Sequence, residues 1–312
     1  LFYLLVYAFL CADRLCQRKL EAVFSSQQFK SLFNFSVDMK VSRSSISTRL
    51  SKINLNFFEQ AYELIYTRLS SLYTEKEIRD MYLVRIDSSM VAETCNKLKQ
   101  GFTTGRKAAA KEDRKQIKYT MAYDGFAAKL AEVLCEPTYL NEDMAMPKVL
   151  EGLVKKDRNH QNLYVLDRGL KALDNYKKIS QADALFVGRI NTNRKMRVVR
   201  SLMSDETDRD LGKLELMEDV IVHLYNKEHK EDTHEFRVVK ARFKTPTDTA
   251  RKSPKGTNRK KTEQDVYFIT NVTNEPGKVQ LTAQEVAEAY KRRWDIEVFY
   301  RFLKQELSFS HF

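Results

Sequence analysis

The sequence predicts an α/β protein with a helical N-terminal region, a core of three strands followed by alternating helix and strand, and a β-rich insertion before a last helix. Three observations predict it. From residue 1 to about 82, apolar residues recur at three- and four-residue spacing with neither Gly nor Pro among them. Short runs rich in β-formers follow at 82–88, 117–123 and 129–135. Helical and strand patterns then alternate up to residue 190.

The elements can be justified in order. The apolar run 1–11 is too short for a membrane span, which needs about 20 residues. No basic stretch precedes it as in a signal peptide, so it reads as a buried helix. In 41–53, Ser caps combine with Ile46, Leu50 and Ile53, leaving Arg43, Arg49 and Lys52 on exposed faces. This is either a helix-turn-helix recognition helix or an ordinary amphipathic helix with a solvated basic face. Gly125 joins the second and third strands as a hairpin, with Asp124 a turn residue. A helix runs to about Leu153, starting at the capping side chains of Asn141-Glu142-Asp143 or at Pro147. Strand 163–166 ends at Asp167-Arg168-Gly169, and a helix at 170–179 and a strand at 184–190 complete the alternation.

Three strands, then alternating helix and strand, is the order of a ribonuclease-H-like core, here assigned to 81–190 and 276–312. The helical region is 1–80 and the insertion 191–275, with strands at 219–225, 235–243 and 265–272. Its segment 240–261 carries nine basic residues and one acid. Residues 283–307 read as one long helix, capped by Thr282 with Glu285 at its third position.

Composition sets the class of partner. The 312 residues hold 54 Lys and Arg against 42 Asp and Glu, a formal charge of +12 that favours a polyanion. With 43% apolar residues, 9 Gly and 5 Pro, the chain is neither low-complexity nor collagen-like. Its four cysteines include no C-x2-C pair, which excludes a zinc ribbon and a disulfide framework and fits a reducing cytoplasm. His223, His229 and His234 match no metal motif, and 103–107 lacks the Walker spacing, so it reads as a basic loop.

Two acids interrupt otherwise apolar strands: Asp87 in YLVRIDSS and Asp167 at the end of LYVLDRG. A buried acid is costly unless it is paired or metal-bound, and metal-dependent phosphoryl transfer needs converging carboxylates. On a continuous last helix at about 100° per residue, Tyr290, Arg293, Trp294, Glu297, Arg301 and Lys304 share one arc. Glu297 is therefore the third acid; Asp295, about 160° away, is the weaker choice.

These residues resemble the bacterial DDE transposases of the insertion-sequence-four family. The signature Tyr-x2-Arg-x3-Glu-x6-Lys is met by Tyr290, Arg293, Glu297 and Lys304, and RIDSS and VLDRG supply the first- and second-acid motifs in order. The resemblance implies that Asp87, Asp167 and Glu297 are catalytic and bind two Mg2+ (or Mn2+) ions. It also implies that Tyr290, Arg293 and Lys304 contact DNA phosphates, with Arg301 beside them. Trp294 either stacks on an unpaired base or packs on the insertion, and Arg168 pairs with a carboxylate or a phosphate. The implied activity is cleavage at transposon ends and transfer of the 3′ hydroxyl into target DNA. Its implied setting is a homodimer on double-stranded DNA in the bacterial, nucleoid-associated cytoplasm, away from membranes. The chain starts without Met and stops eight residues after Lys304, which is expected of a fragment or truncated copy. The competing readings are a stand-alone ribonuclease-H-like nuclease and a transposase-derived DNA-binding protein or inactive copy.

Overall fold

The computed structural model describes residues 1–11, 16–73, 82–91, 101, 116–157, 159–225, 232–245 and 265–307. Helices α1 (Phe2–Cys11), α2 (Gln17–Ser25), α3 (Gln27–Leu32) and α4 (Arg43–Ser51) close around Leu4, Ala8, Leu20, Phe24, Phe29 and Ile46. α1 is buried along one stripe only, since Tyr3, Val6, Phe9 and Leu10 are exposed. Ser42 caps α4 by accepting the Ser45 N–H, and Ile46 and Leu50 turn inward. Arg43 pairs with Glu21 at 3.2 Å, while Arg49 and Lys52 are exposed. Among the described residues, no helix is long and apolar enough to cross a membrane.

α5 (Leu55–Ser70) ties this region to the hairpin. Tyr62 donates its hydroxyl to the Ala128 carbonyl at 2.7 Å and Tyr66 to Asp124 Oδ2 at 2.5 Å. Asp124 is the expected turn residue: its Oδ1 accepts the N–H groups of Phe126 and Ala127, both at 2.8 Å. Gly125 takes a left-handed φ of 97°, and a Cβ there would stand 3.1 Å from the Arg85 guanidinium.

The strands are β1 (Leu83–Val91), β2 (Ile117–Tyr123), β3 (Ala128–Leu134), β4 (Leu163–Leu166), β5 (Leu185–Ile190), β6 (Met196–Ser201), β7 (Asp210–Leu211), β8 (Leu214–Leu224), β9 (Glu235–Phe243) and β10 (Asp265–Thr270). All belong to one sheet of order β3-β2-β1-β4-β5-β10-β9-β8-β6, with β7 paired to β8. β1, β2 and β3 run antiparallel, whereas β1, β4 and β5 are parallel. β10 continues antiparallel from β5, so the strands within 191–275 extend the same sheet. Of the basic segment, Lys240, Arg242 and Lys244 pair with Glu218, Asp265 and Asp210; 246–261 lies outside the described residues, as do 103–107 and His229.

The apolar sequences of β4 and β5 follow from burial on both faces. One face is covered by α6 (Glu142–Lys156) and α7 (Leu173–Gln181), through Met146, Leu150, Leu153, Tyr176 and Ile179. α6 starts at the Asn141 cap rather than at Pro147, which lies inside it. Pro147 has no N–H for the carbonyl four residues back, that of Asp143. The amide of Asn175, on α7, donates to that carbonyl instead, at 2.9 Å.

The other face carries α8 (Ala283–Lys291) and α9 (Trp294–Glu306), which replace the single helix expected over 283–307. Between them the N–H groups of Arg293, Asp295 and Ile296 reach carbonyls three residues back instead of four. The cause lies on β1. The buried Arg85 guanidinium binds Asp295 Oδ2 at 2.9 Å and the carbonyls of Leu83 at 2.6 Å and Arg292 at 3.3 Å, and so claims the carbonyl at the break. Burial pulls the Arg85 pKa down, and Asp295 opposes that shift.

Asp295→Ala strands a buried guanidinium, and a loss of about 2 kcal/mol is expected because Asp295 is half exposed and water replaces part of the pair. Glu297→Ala is expected to cost less than about 1 kcal/mol. Urea denaturation at pH 7 checks the order; equal losses would remove Arg85–Asp295 as the anchor of α9.

Candidate active site

The register of the parallel strands assembles the site. Val165 lies opposite Arg85 and Leu166 opposite Ile86, so Asp167 falls one step on, beside Asp87. Side chains alternate along β1, placing Arg85, Asp87 and Ser89 on the α9 face. Each meets α9 or the turn leading into it. Arg85 binds Asp295, Arg293 binds Asp87, and Lys304 donates to Ser89 Oγ. Tyr300 donates its hydroxyl to the Asp87 carbonyl at 2.5 Å, and burial drives its pKa far up.

Arg293 sits among the three acids. Its Nη1 is 3.2 Å from Asp87, its Nε 3.5 Å from Asp167, and its Nη2 binds Glu297 one turn along. Burial lowers its pKa, but the carboxylates of Glu297, Asp167 and Asp87 outweigh that and the net shift is upward. The Asp87 carboxyl is pushed up to about 6, chiefly by burial and further by Asp167 and Glu142. The Ser88 N–H and Arg293 offset only part of this. A cleft of about 480 Å³ opens beside these groups, lined by Asp87, Ser89, Glu297, Tyr300, Arg301 and Lys304.

The opposite face of β1 holds a second polar cluster. Ser88 donates to Glu142 at 2.9 Å and shares a hydrogen bond with Thr120, and the buried Lys118 binds Glu142 at 2.6 Å. Gly169 lets the loop after Asp167 close on Glu142, because a Cβ there would stand 2.5 Å from the Glu142 Cγ. Its N–H meets Asp167 Oδ2 at 3.1 Å.

Asp87, Asp167 and Glu297 thus share Arg293 as a partner, and Asp295 pairs with Arg85. Arg301 and Lys304 reach the cleft. Tyr290 packs on Phe268, ring centroids 5.3 Å apart, in the apolar layer, and the Arg293 guanidinium lies over its ring, 6.0 Å from the centroid. Arg293 lies inward on the carboxylates, and Trp294 is 53% exposed. Lys118, on β2, is a buried partner of Glu142. Sequence reasoning missed Arg85, Glu142 and Tyr300. Arg85 could have been found as Asp87 was, since a buried charge in an apolar strand requires a partner.

Asp87, midway along β1, and Asp167, one residue past the end of the parallel β4, thus lie beside a helix that brings Glu297 to the same arginine. Residues 79–312 match the family model of the transposase DDE domain, and the chain belongs to that family. No curated protein sequence matches it. Similar solved structures include a piggyBac transposase synaptic complex with hairpin DNA, with 11% identity over 98% of this chain and 58% of that one, TM-score 0.46. Another is a Mos1 mariner paired-end complex with Mn, with 13% identity over 55% of this chain and 58% of that one, TM-score 0.23. The chain therefore spans 58% of the length of the piggyBac chain.

Asp87 keeps its proton to about pH 6 in the fold, whereas an unfolded carboxyl releases it near ~4. Folding takes up a proton between these values, so stability falls as pH rises through that window, by about 2 kcal/mol once above it. Asp87→Asn is therefore expected to raise the melting temperature at pH 7.5 in chelator and to leave it near wild type at pH 4. Destabilisation at pH 7.5 would show that the charged form is the favoured one.

Proposed function

We propose that the chain is the catalytic part of a DDE transposase that cleaves DNA at transposon ends and joins the freed 3′ hydroxyl to target DNA. The observation that carries this is the gathering of Asp87, Asp167 and Glu297 around Arg293, with Arg301 and Lys304 lining the cleft beside Asp87 and Glu297. The strand order β3-β2-β1-β4-β5, antiparallel on one side of β1 and parallel on the other, supports a ribonuclease-H-like core. The insertion-sequence-four signature at Tyr290, Arg293, Glu297 and Lys304 supports a place in that subgroup.

The donor set fits hard divalent cations, since all three ligands are carboxylates, and the raised Asp87 carboxyl shows that Arg293 leaves part of the burial and repulsion cost uncompensated. Among the described residues, no three such side chains stand close enough to share an ion while Arg293 lies between them. Asp87, Asp167 and Glu297 would hold two Mg2+ or Mn2+ ions, which supply an activated water or 3′ hydroxyl and offset charge on the leaving oxygen. The chain's own residues do the rest. The Ser88 N–H orients the Asp87 carboxylate and Tyr300 fixes its backbone. Arg293 balances the acids, and its fork would suit two oxygens of a phosphate brought up to them. Lys304 and Arg301 add positive charge along the strand, with Trp294 as a stacking surface. The partners are transposon-end and target duplexes held by a homodimer in the bacterial, nucleoid-associated cytoplasm. Arg43, Arg49 and Lys52 of α4 are the end-binding side chains of the N-terminal region.

Replacing Asp87, Asp167 or Glu297 by Ala is expected to reduce Mg2+-dependent cleavage of the flanking DNA below detection while specific binding persists, as read by gel mapping and mobility shift. Undiminished cleavage by any variant removes that acid from the site. Lys304→Gln and Arg301→Gln are each expected to lower the slope of log affinity against log salt by about 0.9, one phosphate's worth. An unchanged slope would place that side chain off the DNA path.

A further inference from the structure

At the same edge of the sheet, the loops that follow β4 and β5 wall a second cleft, of about 350 Å³, lined by Leu170, Lys171, Asn191, Arg194, Lys195 and Tyr225 among others. Its position is set by the second acid. The Leu170 N–H bonds the Asp167 carbonyl at 3.2 Å, so the lining begins three residues beyond Asp167. The rim is also held firmly, because Asp143 Oδ1 accepts the N–H groups of Lys171 and Ala172 at 2.7 and 2.8 Å.

Arg194 is the unusual member. Its Nη1 donates to the Lys171 carbonyl at 3.3 Å, while Nε and Nη2 are buried and make no hydrogen bond. Leaving such charged donors unmatched costs more than leaving a neutral bond unmade. Among the described residues, no carboxylate pairs with the side chains of Lys171, Arg194 or Lys195, so the cleft holds three cations against the single rim carboxylate of Asp143. Nε and Nη2 together are one edge of the guanidinium fork, and because both are covered by protein the side chain must rotate to bring that edge to the cleft before it can take two oxygens of a single oxyanion. The cleft is at the small end of ligand-sized cavities, and Leu170 and Tyr225 offer apolar surface beside the charge.

We propose that this cleft is a phosphate subsite that takes one backbone phosphodiester of the DNA strand. Arg194 holds two of its oxygens, Lys171 and Lys195 add charge, and the attached sugar lies against Tyr225. The proposal rests on the DNA-cleaving function above. The cleft lies on the α7 side of the sheet edge, where Tyr176 and Ile190 also line it, whereas Arg301 and Lys304 lie over β1. A strand gripped at both places would be bent across the acids.

The test is binding of a fluorescent end-sequence duplex across a NaCl series in chelator, with Arg194→Gln and the exposed Lys195→Gln. Arg194→Gln is expected to lower the log–log slope by about 0.9 and Lys195→Gln to weaken binding in the same direction. The melting temperature of Arg194→Gln is expected to stay at or above wild type, since the buried donors are unmatched; a guanidinium that only supports the fold would give a loss. An unchanged slope for both variants, with wild-type binding intact, overturns the subsite and leaves the proposed function standing. Failure of the wild-type chain to bind any duplex overturns the proposed function itself. Calorimetry with inorganic phosphate separates the remaining source: Arg194-dependent uptake with an unchanged DNA slope would make the cleft a free-anion site and overturn the DNA assignment.

Discussion

The position of the third acid depends on one buried guanidinium. Arg85 is nearly inaccessible, and what it binds are the two things that set the course of α9: the carboxylate of Asp295 and the carbonyl of Arg292 where α8 ends. A carbonyl turned toward Arg85 is drawn out of the regular helical ladder, the chain tightens to three-residue spacing, and α9 leaves in a new direction. That direction brings Arg293 over Asp87 and Asp167, Glu297 beside it, and Lys304 above Ser89. A straight helix anchored only by apolar contacts would have no comparable reason to stop its register there.

β1 serves two layers at once because its period is two. Arg85, Asp87 and Ser89 answer to α9 and its entry turn, while Val84 and Ile86 sit in the core shared with α6 and α7 and Ser88 answers to Glu142. The site is consequently rigid from both sides: the backbone of Asp87 is held by Tyr300 from above, and its neighbour Ser88 by Glu142 and Thr120 from below. Gly169 completes this by allowing the loop of the second acid to press on Glu142 where any side chain would collide.

Much of the core was legible in the chain. The strands at 117–123 and 163–166 stand where their β-formers place them, and the acids at 87 and 167 were found because a charge within an apolar strand demands a partner. The same reasoning was not extended to Arg85, three residues into that strand, and its neglect is why 283–307 read as one helix. Periodicity reports which residues share a face of an ideal helix and carries no trace of a carbonyl captured from another element. Tyr290 was therefore placed in the arc of Glu297 and is found against Phe268 with the Arg293 guanidinium over its ring. Glu142 was hidden for another reason: in sequence it is one of three polar residues at a helix start, and its pairing with Lys118 joins positions 24 apart. The continuation of the sheet through β10, β9, β8 and β6 is likewise a matter of pairing, which strand propensity does not encode.

Pro147 has a reach beyond its own helix. By lacking an N–H it leaves the Asp143 carbonyl open, and the amide of Asn175 fills the vacancy from α7, while the Asp143 carboxylate holds the chain at Lys171 and Ala172. With another residue at 147 a helical N–H would share that carbonyl with Asn175, whose amide also reaches Asp143 Oδ1 at 3.4 Å. Asp143 is therefore a hub between two helices, holding α7 through Asn175 and the loop after the second acid through Lys171 and Ala172.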